Sequence, residues 1–321
     1  MTISRREFLP LVAAGSLVAP RARAQSHPAR PIRLIVGFPA GGPNDILGRL
    51  IAGWLSQRLA QPVEVENRPG GSSNPATETV VRAPADGYTL LLVGPANAIN
   101  ASLDNKLPFD FLRDIAPVAA LTREPLVMLV HPSVAATSVG ELIAFAKAHP
   151  GTIKMASTGN GSSPHVSGLL FVMLTGLDLP IVQYAGGGPA LKAMIAGETQ
   201  LMFEPMSAAI APVKAGKLRA LAVTTRERAV ALPEIPPLGD AVPSYEASAV
   251  TGIGAPRDTP RGIVERLNRE VNAAFSDPAM QARFVESGGA PLPGSPDDFH
   301  RVLIEETEKW RKVIKAAGIK R

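Results

Sequence analysis

Four short stretches of the chain carry residue types suited to holding an anion. They are Phe38 to Asp45 (F-P-A-G-G-P-N-D), Gly94 to Asn100 (G-P-A-N-A-I-N), Thr158 to His165 (T-G-N-G-S-S-P-H) and Tyr184 to Pro189 (Y-A-G-G-G-P). Glycine lets neighbouring backbone N–H groups point at one spot, and Ser, Thr and Asn add side-chain donors. At least three of these stretches open a helical pattern, and the first turn of a helix has unpaired N–H groups and the positive end of the dipole. A carboxylate is the natural guest. Charge-assisted bonds contribute roughly 1.5–3 kcal/mol each and a helix end ~0.3–1 kcal/mol, while micromolar binding needs about 8 kcal/mol net. Two such cups facing each other would hold both ends of a dicarboxylate without an arginine clamp. The residues assigned to the lining are Phe38, Ala40, Gly41, Asp45, Asn97, Asn160, Gly161, Ser162, Ser163, Tyr184, Ala185 and Gly186.

Catalytic patterns are missing. The first loop is not G-x-G-x-x-G, there is no G-x-x-x-x-G-K-[ST], and no G-x-S-x-G surrounds Ser162 or Ser163. His165 lies too close to those serines to resemble the usual spread of a triad, and reads as a helix-start residue bonded to its loop. The five His are scattered without H-E-x-x-H spacing, so no metal or cofactor is expected. Glu204 is a candidate partner for a ligand ammonium, or an edge carboxylate in water.

The loops are positioned by alternating strand and helix patterns. Ile32 to Gly37 reads as a strand before the first loop, with Asn44 or Asp45 capping a helix that carries Ile46, Leu47, Leu50, Ile51, Trp54 and Leu55 at helical spacing. Further strands are expected at 62–67, 88–93, 153–157, 181–184, 200–203 and 218–224, and helices at 74–82, 139–148, to 174, to 196, 261–275, 277–287 and 296–317. This alternation predicts an α/β fold with a mostly parallel sheet. Ile115 to Leu121 and Leu126 to His131 look like one long extended crossing, interrupted near Arg123-Glu124-Pro125, into a second domain. Ala249 to Gly254 resembles it and predicts a second crossing back. The resulting division is residues 25–123 plus 247–321 for one domain and 124–246 for the other.

The first 24 residues read as a leader: Arg5-Arg6 ahead of Glu7-Phe8-Leu9, an apolar run from Leu11 to Ala19, and Ala22-Arg23-Ala24. That is the pattern of a secretory signal peptide, of twin-arginine type. The run is too short to span a bilayer, which takes about 20 residues. The leader holds four Arg and one Glu, so its removal takes the net charge from +5 to +2 and no nucleic-acid partner is implied. With no Cys there are no disulfides and no thiolate chemistry. The expected location is the periplasm.

Several segments in order carry a family resemblance: I-V-G-F-P-A-G-G-P-N-D, V-E-N-R-P-G-G, A-D-G-Y-T-L-L, A-S-T-G-N-G-S-S-P-H, Y-A-G-G-G-P-A-L, K-A-G-K-L-R-A-L-A-V-T and G-A-P-R-D-T-P. The chain resembles the Bug family, extracytoplasmic receptors associated with tripartite tricarboxylate transporters, from Pro31 to the C-terminus. The resemblance implies a two-domain, type II-like Venus-flytrap fold with two crossover strands. It also implies a small carboxylated ligand and membrane permease subunits as partners; a monomer is expected. The family often has a basic residue where this chain has Ala185, Asp-Asn where it has Glu204-Pro205, Ser or Thr in the loop holding Ala96, and an aromatic near Val250. The pocket floor is therefore altered. Two rival readings remain: a signalling co-receptor docking on a sensor kinase, and an exported α/β enzyme acting on a carboxylated substrate.

Overall fold

The computed structural model describes residues 27–103 and 107–319, so the expected leader lies outside the described residues. The chain opens with β1 (Ile32–Val36), α1 (Pro43–Leu59), β2 (Val63–Asn67), α2 (Asn74–Val81), β3 (Thr89–Val93), α3 (Pro95–Leu103), α4 (Phe111–Asp114) and the long β4 (Ile115–Val130). Then follow α5 (Val139–Ala148), β5 (Met155–Ser157), α6 (Ser163–Thr175), β6 (Ile181–Gln183), α7 (Gly187–Ile195), β7 (Leu201–Pro205), α8 (Met206–Lys214) and β8 (Arg219–Val223). The chain closes with β9 (Ser248–Pro256), α9 (Arg261–Ala274), α10 (Pro278–Glu286), β10 (Ala290–Pro291) and α11 (Pro296–Ala316). None of the helices among the described residues is long and apolar enough to cross a membrane.

The strands run in the order β2-β1-β3-β9-β4-β7-β5-β6, with β8 and β10 also paired to β4. This path is two sheets sharing β4. From Ile115 to Pro125 that strand pairs antiparallel with β9, and from Leu126 to Val130 it pairs with β7 and β8. The β-pattern interrupted near Arg123-Glu124-Pro125 is one continuous strand, because the change of partner falls at Pro125, which needs no ladder donor. Within each lobe the remaining strands are parallel: β1 with β2 and β3, β5 with β6 and β7. The buried apolar centres of the inner strands β1, β3, β5 and β7 suit strands covered by helices on both faces, while β2 and β6 are half-buried edges.

β4 and β9 join the lobes. Behind them, Arg123 donates to Ser248 Oγ at 2.7 Å and to Glu246 Oε1 at 3.4 Å, and Lys309 of α11 donates to Glu246 Oε2 at 3.2 Å and Glu306 Oε1 at 2.7 Å. α11 starts on a capping box of Ser295 and Asp298. Its Phe299 and Leu303 pack in the first lobe's core, and its Trp310, Val313 and Ile314 in the second's. The helix therefore braces both lobes. Gly252 of β9 lies so close that an added Cβ would sit 2.3 Å from Phe299 Cζ and 2.6 Å from the Ala119 carbonyl oxygen.

Some local expectations change. Gly94 to Asn100 is not a loop: α3 begins at Pro95, where a missing N–H costs nothing. The N-cap of α1 is Gly42, not Asn44 or Asp45, with Pro43 inside the first turn. The short α4 and β10, and α8 with its internal Pro212, have no counterpart in the sequence reading. Trp54 is half-buried against the first lobe's core, and its Nε1–H donates to the Glu270 carbonyl at 2.7 Å.

Candidate functional site

The carboxyl ends of parallel strands in each lobe face the other lobe, and a cleft of about 370 Å³ lies between them. The first lobe contributes Phe38, Pro43, Asn44 and Leu47 around the start of α1, Ser72 after β2, and Pro95 and Ala96 at the start of α3. The second contributes Thr158 to Pro164, which lead into α6, and Pro205 at the end of β7. The rear wall is the pair of crossing strands: Thr122 and Glu124 of β4, Ala249 and Thr251 of β9, with Ser287 and Gly289 beside them. Helix starts from both lobes thus open on one space.

The second-lobe loop is built as an anion cup. Positive φ values at Gly159 (122°) and Gly161 (72°) turn the backbone in a way a side chain resists. Ser162 caps α6, its Oγ accepting from the His165 N–H at 3.3 Å and from Thr158 Oγ1–H at 2.9 Å. The Gly161 N–H donates to His165 Nδ1 at 3.0 Å, and burial pushes that imidazole's pKa down, so it is a neutral acceptor fixing the loop. The Ser163 hydroxyl, at the first turn of α6, is buried without a protein partner. An added Cβ at Gly161 would lie 2.5 Å from Leu103 Cδ1 of α3, so the two lobes touch beside the cleft.

Five of the twelve expected lining residues meet here: Phe38, Asn160, Gly161, Ser162 and Ser163. The others lie outside the lining. Asp45 is 2% exposed, and its carboxylate accepts from the Gly41 N–H at 2.8 Å, Arg49 Nε–H at 2.9 Å and Asn67 Nδ2–H at 2.8 Å. The Arg49 bond first, then those of Gly41 and Asn67, hold its pKa at about 2 against the cost of burial. This turn consumes a donor it was expected to offer a ligand. Ala40 and Gly41 are exposed. Asn97 accepts from the Gly94 N–H at 2.8 Å and donates to Thr77 Oγ1 at 2.8 Å, which locks the start of α3. Tyr184, Ala185 and Gly186 follow β6, the edge strand of its sheet.

Glu124 and Glu204 are the acidic groups at the rear wall. Glu124 Oε1 accepts from the Ser207 N–H at 3.1 Å and Oγ–H at 2.9 Å, and burial raises its pKa. Glu204 is 4% exposed, and its Oε2 has no hydrogen-bond partner. Burial, and after it the charge of Glu124, pushes Glu204 up to about 8. Its Oε1 lies 3.1 Å from where a Cβ on Gly187 would be, so a protein carboxyl sits against the first turn of α7. Among the described residues no Lys, Arg or His lines the cleft. Among the described residues no cluster of three His, Cys, Asp or Glu could hold a metal.

Alternate residues of β4 face opposite ways, so Arg123 and Pro125 open on a second groove of about 740 Å³ behind the crossing. Although larger, it is lined by the mutually paired Arg123, Glu246, Glu306 and Lys309. The interlobe cleft is the better ligand site because it holds the start of α6 with the unpartnered Ser163 hydroxyl.

Two α/β lobes, a double crossing and a cleft lined by helix starts define a periplasmic-binding-protein fold. The chain belongs to the tripartite tricarboxylate transporter family of receptors, whose profile matches residues 47–319. It is 34% identical over 312 residues to Protein BugT of Bordetella pertussis, covering 96% of this chain and 95% of that protein. A structure of R. palustris Rpa4515 with adipate is 36% identical with a TM-score of 0.81, covering 91% of this chain and 99% of that one. MatC (Rpa3494) from Rhodopseudomonas palustris with bound malate is 30% identical with a TM-score of 0.77, covering 89% and 99%. Family members are solute-binding receptors of the periplasm.

Proposed function

We propose that this protein is an extracytoplasmic solute receptor that captures a small carboxylated molecule in the interlobe cleft and presents it to the permease subunits of a tripartite transporter. The observation that carries the reading is the meeting of α1, α3 and α6 starts from both lobes on one cleft, with the orphan Ser163 hydroxyl among them. Adipate and malate in the related structures support the ligand class. The protein acts by binding, as its solute-binding relatives do. Residues 25–123 plus 247–321 and residues 124–246 act as two domains, with α11 bracing both. Closure is a hinge motion at the crossings. The leader at 1–24 directs export to the periplasm.

Thermal-shift screening of the purified mature chain with a panel of organic acids, followed by calorimetry, tests this. A ligand at a hundredfold excess over its Kd stabilises by ~2.7 kcal/mol. A folded protein whose melting curve no organic acid shifts would contradict the assignment.

A further inference from the structure

The cleft offers an anion seat at the helix starts and something different at its rear wall. Among the described residues Glu124 is the one ionisable side chain in its lining, and none of them supplies a cation there to compensate it. Ser207 occupies one of its oxygens with two hydrogen bonds, and the other has no donor among the described residues. Glu204 lies close enough for the two carboxyls to influence each other, is 96% buried by its 4% exposure, and leaves Oε2 without a partner. Its carboxyl lies against the α7 start, where the sequence alone suggested a seat for a second ligand anion. A plain dicarboxylate reaching from the α6 cup to the rear wall would set like charge against like.

We infer that the cognate ligand is an amino-carboxylate: its carboxylate lies at the α1, α3 and α6 starts, and its ammonium group faces Glu124, with Glu204 behind it. An ammonium supplies three donors, and a carboxylate with an unused oxygen beside a second unpartnered carboxyl is the acceptor set that matches it. Glu124 is then the specificity-determining residue. This rests on the receptor reading above and narrows its ligand class.

Calorimetry on the mature chain with length-matched sets separates the two ideas. The sets are adipate, ε-aminohexanoate and hexanoate; succinate and γ-aminobutyrate; and glutarate and L-glutamate. The expected result is that, in at least one set, the amino acid binds at least about tenfold more tightly than the plain acids. Glu124→Gln should erase that preference. Plain dicarboxylates binding as well as or better than their amino partners would overturn the inference and leave the carboxylate-receptor reading standing. An amino-acid preference that survives in Glu124→Gln would overturn the role of Glu124. Binding of none of these acids, nor of any other organic acid, by a folded chain would overturn both. If Glu124→Gln does not fold, the wild-type sets alone decide the ligand class, and Ser207→Ala, which removes one of the two hydrogen bonds to Glu124 Oε1 without removing its charge, should retain the preference.

Discussion

Replacing Glu204 by Gln should change how stability depends on pH. In the folded ligand-free protein burial, and then Glu124, raise this carboxyl to about 8 from an ordinary 4.5. The folded state thus holds a proton that the unfolded chain releases at lower pH. The stabilisation from that proton is complete below pH ~4.5, declines as pH rises, and is gone above ~8. The difference between 4.5 and about 8, at 1.36 kcal/mol per pH unit, sets a ceiling of ~5 kcal/mol. Solvent screening removes little of it, because Glu204 is only 4% exposed. Water entering the cleft relaxes part of the burial cost, so ~2–3 kcal/mol is expected. The assay is denaturant and thermal unfolding of wild type and Glu204→Gln at pH 5 and pH 9. At pH 5 the two should agree within ~1 kcal/mol, since Gln mimics the protonated acid. At pH 9 the variant should be the more stable by ~2–3 kcal/mol, or several degrees in Tm. Parallel stability curves across that range would refute a buried, unpaired carboxyl at this position.

Asp45 titrates with the opposite sign: its pKa is lowered from 3.8 to about 2, so its contribution is present above pH ~4 and is lost as pH falls towards 2. Asp45→Asn should cost ~1–2 kcal/mol at pH 7, discounted because Arg49 is half exposed, with the gap to wild type closing in acid; denaturant titration at pH 7 and pH 2.5 checks both. Gly252→Ala places a Cβ 2.6 Å from the Ala119 carbonyl oxygen, where backbone must yield, and should cost ~2–3 kcal/mol in the denaturation midpoint; an unchanged midpoint would count against the close packing of α11 on β9. Ser162→Ala removes the α6 cap and should cost ~1 kcal/mol in stability, and calorimetry should show a several-fold loss of affinity for whichever acid binds. Undiminished affinity would place the ligand away from that cup.

What the sequence showed was whatever depends on near neighbours. Apolar runs, glycine turns and helix periodicity place β1, α1, β5 and α6 to within a residue or two, and with them Phe38 and Asn160 to Ser163, because each of those residues directly follows its strand. What it did not show depends on partners far along the chain. Tyr184 to Gly186 form a glycine-rich turn much like that of Asn160 to Ser163, yet they follow an edge strand, and strand order leaves no local trace. Asp45 and Asn97 are polar residues in loops of the right kind, but each satisfies its own turn's N–H groups, Gly41 in one case and Gly94 in the other. A donor bonded within its own loop is no longer available to a ligand. The rear wall leaves the least trace in the sequence. Thr122 meets Thr251 side chain to side chain at 2.7 Å across 129 residues, and Glu124 pairs in register with Ala249. Residues of a crossing strand read locally as core, with every second one facing the cleft. That placement is why an acidic group falls where glycine and serine alone would suggest a purely anion-seeking pocket, and why the chemistry of the ligand's far end is set by β4 and not by the loops.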